Sequence, residues 1–294
     1  FYLLPFSFPQ PSYNCAVSIF TPAASQPVIS YHDVRIGFDE GEVLRGVSLD
    51  VAEGETKVLV GETGTGKTLL LKMAAGLIKP SSGRITVLGQ DVTAMTEREL
   101  LDFRRQLGVV FQEGALFDSL SVRENVAFRL MEEKVDEAEI EARVREALRF
   151  VEMEQAIDQF PGELSGGMRR RVSIARALIS HPPIVLYDSP TAGLDPVTAQ
   201  TIITLILRLR DLFGVTSLLA THRIQDAFAL CNFRFDAESE RVVPMSSNGA
   251  GAGAAAQPQR LTTFLVLKDG EVYFTGDQHA VLDSHDPYLK RFLL

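Results

Sequence analysis

Eight consecutive residues, Gly61-Glu62-Thr63-Gly64-Thr65-Gly66-Lys67-Thr68, fit the spacing G-x-x-x-x-G-K-[ST]. Glycines at these positions let backbone N–H groups turn inward onto phosphate oxygens. Lys67 supplies a point charge for β- and γ-phosphates, and the Thr68 hydroxyl can ligate Mg²⁺. The expected ligand is therefore a nucleoside triphosphate with its magnesium ion. A chance Gly-rich turn has no need of particular neighbours. This one lies between a short apolar strand, Lys57 to Val60, and a segment rich in Leu, Ala and Met that reads as a helix. The helix adds the positive end of its dipole to the anion site.

A second carboxylate site is expected for the same metal. Ile184-Val185-Leu186-Tyr187-Asp188 is an apolar strand ending in an acid, which resembles the Walker B aspartate of P-loop NTPases. Many strands end in Asp, so the reading depends on the phosphate loop beside it.

Between these two sites stands Leu164-Ser165-Gly166-Gly167-Met168, followed by Arg169, Arg170 and Arg171 and then Ala175-Arg176-Ala177-Leu178. This resembles the LSGGQ signature of ABC ATPases, with Met168 where Gln is usual. Further elements follow that family's order: Gln112 after Val109-Val110-Phe111 is similar to its Q-loop, Ala192-Gly193-Leu194-Asp195 to its D-loop, and His222 after Leu218-Leu219-Ala220-Thr221 to its switch histidine. The likeness runs from about Val28 to Asn232 and resumes at Phe264. It implies an ATP-binding subunit that uses ATP and Mg²⁺. Thr68, Gln112 and Asp188 would surround the metal, Asp188, Ser189, Gln112 and His222 the chemistry, and Ser165, Gly166, Gly167 and Asp195 would contribute to the nucleotide. Phe38 stands where the family has an adenine-stacking aromatic, but a core residue of an edge strand is the competing reading. For some of the three consecutive arginines the competing reading is a solvated helix face. Ser165 caps a helix in either case, and that helix N-terminus can offer N–H groups to a γ-phosphate.

The resemblance also implies partners. In this family one subunit's signature closes on the nucleotide held by its copy, so a head-to-tail dimer enclosing two ATPs is expected. An integral membrane permease is expected as well, which would hold the chain at the cytoplasmic face of the inner membrane. The segment from Phe111 to Phe128 (FQEGALFDSLSVRENVAF) and the tail His285 to Leu293 (HDPYLKRFL) are similar to the Mla/Mce-type branch, which serves lipid transport. An Mce or substrate-binding component then joins the list of partners. An ATPase for a polar-solute importer is the alternative, and a soluble non-transport ABC protein is a third. The translation type of the latter carries two cassettes where this chain has one, and the repair type needs a long coiled coil, of which no sustained heptads are visible. Leu116, Phe117 and Leu120 form a candidate docking patch for the permease, with local core as the other reading.

One position departs from the family. Asp188 is followed by Ser189, where Glu normally activates or orients the attacking water. Serine is no general base at neutral pH without a partner. Slow hydrolysis is the expectation. Full activity supported by His222 and the D-loop is the alternative, and Glu113 is a nearby carboxylate of unknown direction.

The elements that must position these residues follow from periodicity. Val34, Ile36 and Phe38, and again Val47, Leu49 and Val51, alternate with polar residues as half-buried antiparallel strands do. Ile85 to Leu88, Val109 to Phe111, Ile184 to Tyr187 and Thr216 to Ala220 are short apolar strands. Thr96 to Gln106 reads as a helix, and Asp136 to Met153 as an amphipathic one. Ser165 begins a helix to about Ile179, and Pro196 sits in the first turn of a helix to about Phe213. Phe264 to Leu267 and Val272 to Phe274 form a hairpin around Lys268-Asp269-Gly270. Alternating strands and helices predict a mainly parallel α/β sheet, and the family resemblance implies a P-loop cassette with an antiparallel β subdomain and a helical subdomain over about 96–153. Residues 1–27 read as a disordered leader, 28–294 as the ATPase domain, and 246–259 (SSNGAGAGAAAQPQ) as a flexible insertion.

Composition narrows the classes. The 294 residues carry a formal charge of −9, which disfavours a general nucleic-acid partner. Cys15 and Cys231 are too few for a disulfide framework or a metal set, which fits a reducing setting. No run of about 20 apolar residues is present to span a bilayer, and Phe1 to Tyr31 lacks the basic start of a signal peptide.

Overall fold

The computed structural model describes residues 26–39, 41–245 and 262–293. Nearly all of the expected leader and the whole of the expected insertion lie outside the described residues.

In chain order the elements begin with β1 (Ile29–Phe38) and β2 (Gly41–Val51), an antiparallel pair with Tyr31 opposite Leu49 and Ile36 opposite Leu44. Then come β3 (Thr56–Val60), α1 (Lys67–Ala74), β4 (Ser82–Val87), β5 (Gln90–Asp91), α2 (Glu97–Arg104) and β6 (Leu107–Val110). A helical stretch follows with α3 (Val122–Glu132), α4 (Glu137–Phe150) and α5 (Gly166–Leu178). The chain returns to the sheet through β7 (Ile184–Asp188), α6 (Pro196–Phe213), β8 (Thr216–Thr221) and α7 (Ile224–Asn232). It then makes a small hairpin, β9 (Phe233–Asp236) with β10 (Arg241–Pro244). The last elements are β11 (Thr262–Lys268), β12 (Glu271–Gly276), α8 (Gln278–Leu282) and α9 (Pro287–Leu293).

Two main sheets result. One is antiparallel, in the order β2-β1-β4-β5; the other has six strands, β12-β11-β3-β8-β7-β6, all parallel except the antiparallel edge strand β12. The parallel strands are buried on both faces and consequently read as continuous apolar runs. Their side chains divide strictly by parity. Val58, Val60, Val185, Tyr187, Leu219, Phe264 and Val266 point into one core with residues of α3 to α7. Leu59, Ile184, Leu186, Leu218, Ala220, Leu265 and Leu267 point into the other, with α1 and the antiparallel sheet. Each such side chain contributes roughly 1.5–3 kcal/mol when fully buried. Tyr31 crosses the second core to donate from its hydroxyl to the Leu70 carbonyl at 2.8 Å, which fixes β1 against α1.

Every strand and helix expected above is present; most ends shift by a residue or two, while β1, β2 and β4 begin three to six residues earlier than expected and α4 ends three residues sooner. Asp136 and Ser165 are helix caps, accepting from the N–H groups of Ala138 and Met168, and Pro196 opens α6. Sequence reading missed α3, α7, the β9–β10 hairpin, α8 and α9. The α3 start was legible: Ser121 and Glu124 form a capping box. The helical region is drawn differently as well. Leu100 and Phe103 of α2 bury into the core shared with α1, whereas α3 and α4 pack with α5.

Candidate functional site

Tracing the cradle upward from the backbone, β3 ends at Val60 and the loop from Gly61 to Gly66 turns directly into α1. Gly66 is the N-cap of that helix with φ 95°, a conformation that glycine adopts at little cost. A Cβ there would sit 2.4 Å from a Leu44 methyl, so β2 also demands glycine. Glu62, Thr63 and Gly64 are exposed along the loop, and Thr65 is half-buried with its hydroxyl on the Glu62 carbonyl at 2.9 Å.

Lys67 is buried and folds back over its own loop. Its Nζ donates to the carbonyls of Gly61 and Glu62 at 2.8 and 2.7 Å. Burial lowers the ammonium's proton affinity, and the Asp188 carboxylate opposes that. The Thr68 hydroxyl donates to Asp188 Oδ1 at 3.0 Å. The structure therefore brings Lys67 and Thr68 at the start of α1 together with Asp188 at the end of β7. This is the carboxyl edge of the parallel sheet, where open α/β folds bind ligands. A larger apolar cavity of about 680 Å³ opens at the other edge, near Ile184 and Thr216, and shares none of these residues.

The structure shows no hydrogen bond from the remaining expected site residues to this group among the described residues. Gln112 and His222 are exposed, and among the described residues neither hydrogen-bonds to Lys67, Thr68 or Asp188. Phe38 is 56% exposed. Its strand β1 is flanked by β2 and β4, so the reading as a core residue of an edge strand is corrected on both counts. Ser189 lies in the left-handed region, φ 47°, with its N–H on the Ala220 carbonyl at 2.8 Å. Asp195 is the N-cap of α6. It accepts from the N–H groups of Val197 and Thr198 at 3.0 Å each, and bonds from Thr198 hold its carboxyl below the usual range.

Ser165 and Gly166 are exposed at the start of α5. Gly167 is buried, and a Cβ there would lie 2.3 Å from Thr198 on α6, so a side chain does not fit. The arginines that follow are not a solvated face. Arg170 is buried and donates to the Phe111 carbonyl at 2.6 Å; the Asp188 and Glu113 carboxylates are its charged neighbours. Arg169 donates to Leu164, and Arg171 to Val151 and Glu152. Arg176 donates to the carbonyls of Gly114 and Ala115 at 3.0 and 2.8 Å. The loop that carries Gln112 is thus held at both ends by the helix that carries the signature.

Sequence reasoning missed that clamp, and also Thr191 and Asp226, which are buried beside Ser189 and His222. The signal for Asp226 was a lone acid on the apolar face of a short helix, IQDAFALCN.

Residues 44–192 match the family described as ABC transporter. The chain is 38% identical over 203 residues to the methionine import ATP-binding protein MetN of Brucella abortus, covering 69% of this chain and 55% of that one. It is 41% identical over 191 residues to the probable ribonucleotide transport ATP-binding protein mkl of Mycobacterium leprae, covering 65% and 55%. It thus spans about half the length of these relatives. Among solved structures, the dimeric ATP-binding cassette MJ0796, in a post-hydrolysis state bound to ADP and Pi, superposes with a TM-score of 0.70 at 29% identity, covering 85% of this chain and 98% of that one. With the phosphate loop, the strand-end aspartate and the signature helix assembled on this sheet, the chain belongs to the ABC transporter family and has the fold of its ATPase cassette.

Proposed function

We propose that the chain is the ATP-binding and ATP-hydrolysing subunit of an ABC transporter, acting as a head-to-tail dimer against a membrane permease. The observation that carries this is the Lys67–Thr68–Asp188 group at the sheet's carboxyl edge. The residues fit the ligands. Lys67 already rests on three loop oxygens, a cation that a phosphate can draw away from them. The Thr68 and Asp188 oxygens are hard donors of the kind Mg²⁺ takes, and the ion there would offset phosphate charge. Gln112 is the further expected metal neighbour, and Phe38, exposed, is free to meet an adenine face.

No helix among the described residues is long and apolar enough to cross a membrane, which is consistent with attachment through a permease at the cytoplasmic face. Phe117, 44% exposed and stacked on Phe128 at 4.7 Å, supports the docking patch; Leu116 and Leu120 are half-buried beside it. For the cargo, the segment 111–128 and the tail 285–293 support a lipid, handed on by an Mce-type component. A second reading, a polar solute, is favoured by the names of the MetN and mkl relatives.

The test is recovery of the tagged chain in mild detergent, with identification of the co-purified permease and of its bound small molecules. Bound phospholipid supports the lipid reading; an amino acid or nucleotide in its place supports the second. Recovery of ribosomes or DNA and no membrane protein defeats the transport reading.

A further inference from the structure

Asp226, in the first turn of α7, has a carboxylate only 4% exposed. Its Oδ2 accepts two hydroxyls, one from Thr191 and one from Thr221, the latter at 3.4 Å. Both threonines are 1% exposed. Thr191 lies two residues after Ser189, and Thr221 ends β8 immediately before His222. Oδ1 faces the Arg223 guanidinium at 3.8 Å, and the Thr221 hydroxyl oxygen in turn accepts the Arg223 N–H at 3.0 Å. Two chain segments that reach the nucleotide edge from neighbouring strands are therefore pinned on one oxygen atom.

Such an arrangement is costly for packing alone. The other buried residues of α7, Ile224, Ala227 and Leu230, are apolar, and apolar residues of similar volume often replace a whole buried ion pair without loss of stability. Burial pushes the Asp226 carboxyl upward, while Thr191, Arg223, Thr221 and His222 hold it back. A favourable charge at the helix start does not need burial either, since an exposed acid in the first turn serves the dipole.

We infer that Asp226 is a positioning residue for ATP hydrolysis, which fixes the Ser189 segment and His222 relative to each other through Thr191 and Thr221. The inference rests on the reading of the chain as an ATPase. It also gives a role to a fold that lacks the usual glutamate, because here the geometry of what remains has to be held by neighbours.

The experiment compares Thr191→Val, Thr191→Ser, Asp226→Asn and the Thr191→Val/Asp226→Asn double variant, in the native chain and with Ser189→Glu. Misplacement of about 1 Å can cost on the order of 100-fold, so Thr191→Val and Asp226→Asn are each expected to lower kcat by roughly 10- to 100-fold with little change in ATP affinity. Thr191→Ser, which keeps the donor, stays near its parent, and the double variant is no slower than the slower single one. In nucleotide-free protein, amide exchange at Ala192 and Leu194 accelerates in Thr191→Val and not in Thr191→Ser. A folded Thr191→Val with parental kcat and parental exchange overturns the inference, as does an equal loss in Thr191→Ser. If Asp226→Asn fails to fold, the two Thr191 variants decide. If neither parent releases phosphate, the ATPase reading fails, and the exchange comparison still decides whether Asp226 positions these segments.

Discussion

At the scale of single residues, the phosphate loop was legible because its chemistry is local. Eight consecutive positions encode the turn, the charge and the hydroxyl, and nothing distant is needed to recognise them. Lys67→Ala removes the one cation at the centre of the cradle. ATP affinity at fixed Mg²⁺ should fall by at least tenfold, since a charge-assisted hydrogen bond is worth about 1.5–3 kcal/mol. An unchanged dissociation constant would break the assignment. Ser189 is a different case, where an absence had to be read. Its backbone is already left-handed, a strain that falls on any L side chain with a Cβ. Ser189→Glu therefore adds a carboxylate without adding backbone strain. A positioned general base contributes on the order of 10²–10⁴-fold, so with the permease or a pre-formed dimer present steady-state phosphate release should rise within that range, while Ser189→Ala should resemble the native chain. Equal rates for all three would mean that water is activated elsewhere. Glu113 is poorly suited to that, since its charge is among those that face Arg170.

Secondary-structure elements separate what a pattern reveals from what only packing decides. Strands β3, β7, β8 and β11 announced themselves as apolar runs, and α4, α5 and α6 by period and caps. The arginines of α5 did not. In sequence a run of three arginines is indistinguishable from a solvated face; in space Arg170 and Arg171 meet carbonyls 19 to 59 positions away, and Arg169 the carbonyl of Leu164. Arg176 is the clearest instance, with two carbonyl acceptors and the Phe117 ring 5.8 Å from its guanidinium. Arg176→Met keeps the stem and removes the donors. It should destabilise the chain by about 2–3 kcal/mol, a fall in melting temperature of roughly 4–12 °C for a domain of this size. Thermal unfolding of the two proteins checks this, and a shift near zero would reduce the clamp to a surface ornament. Because the same bonds hold the loop bearing Gln112, the position of that side chain is tied to the signature helix.

For the molecule as a whole, the unsolved part of the sequence is its company. For a chain with no spanning helix among its described residues and a formal charge of −9, the proposed permease rests on a patch and the proposed cargo on two short segments. The proposed dimer, by contrast, has a definite geometric consequence at the start of α5. Ser165 and Gly166 face outward, and a Cβ on Gly166 would meet only Leu194, at 3.7 Å, an ordinary contact. Gly167, jammed against Thr198, has no such freedom. Gly166→Asp should therefore fold, and an acid in the first turn favours the helix by about 0.3–1 kcal/mol. The same carboxylate would stand where a second copy's γ-phosphate has to approach, and like charges there oppose closure. Native protein with ATP and Mg²⁺ should accumulate as a dimer on gel filtration, since slow hydrolysis leaves the closing phosphate in place. Gly166→Asp should bind ATP with native affinity and remain monomeric. Ser189→Glu should dimerise persistently only with a non-hydrolysable analogue. If Gly166→Asp dimerises with ATP as the native chain does, the signature does not close on the partner's nucleotide and the head-to-tail arrangement is wrong.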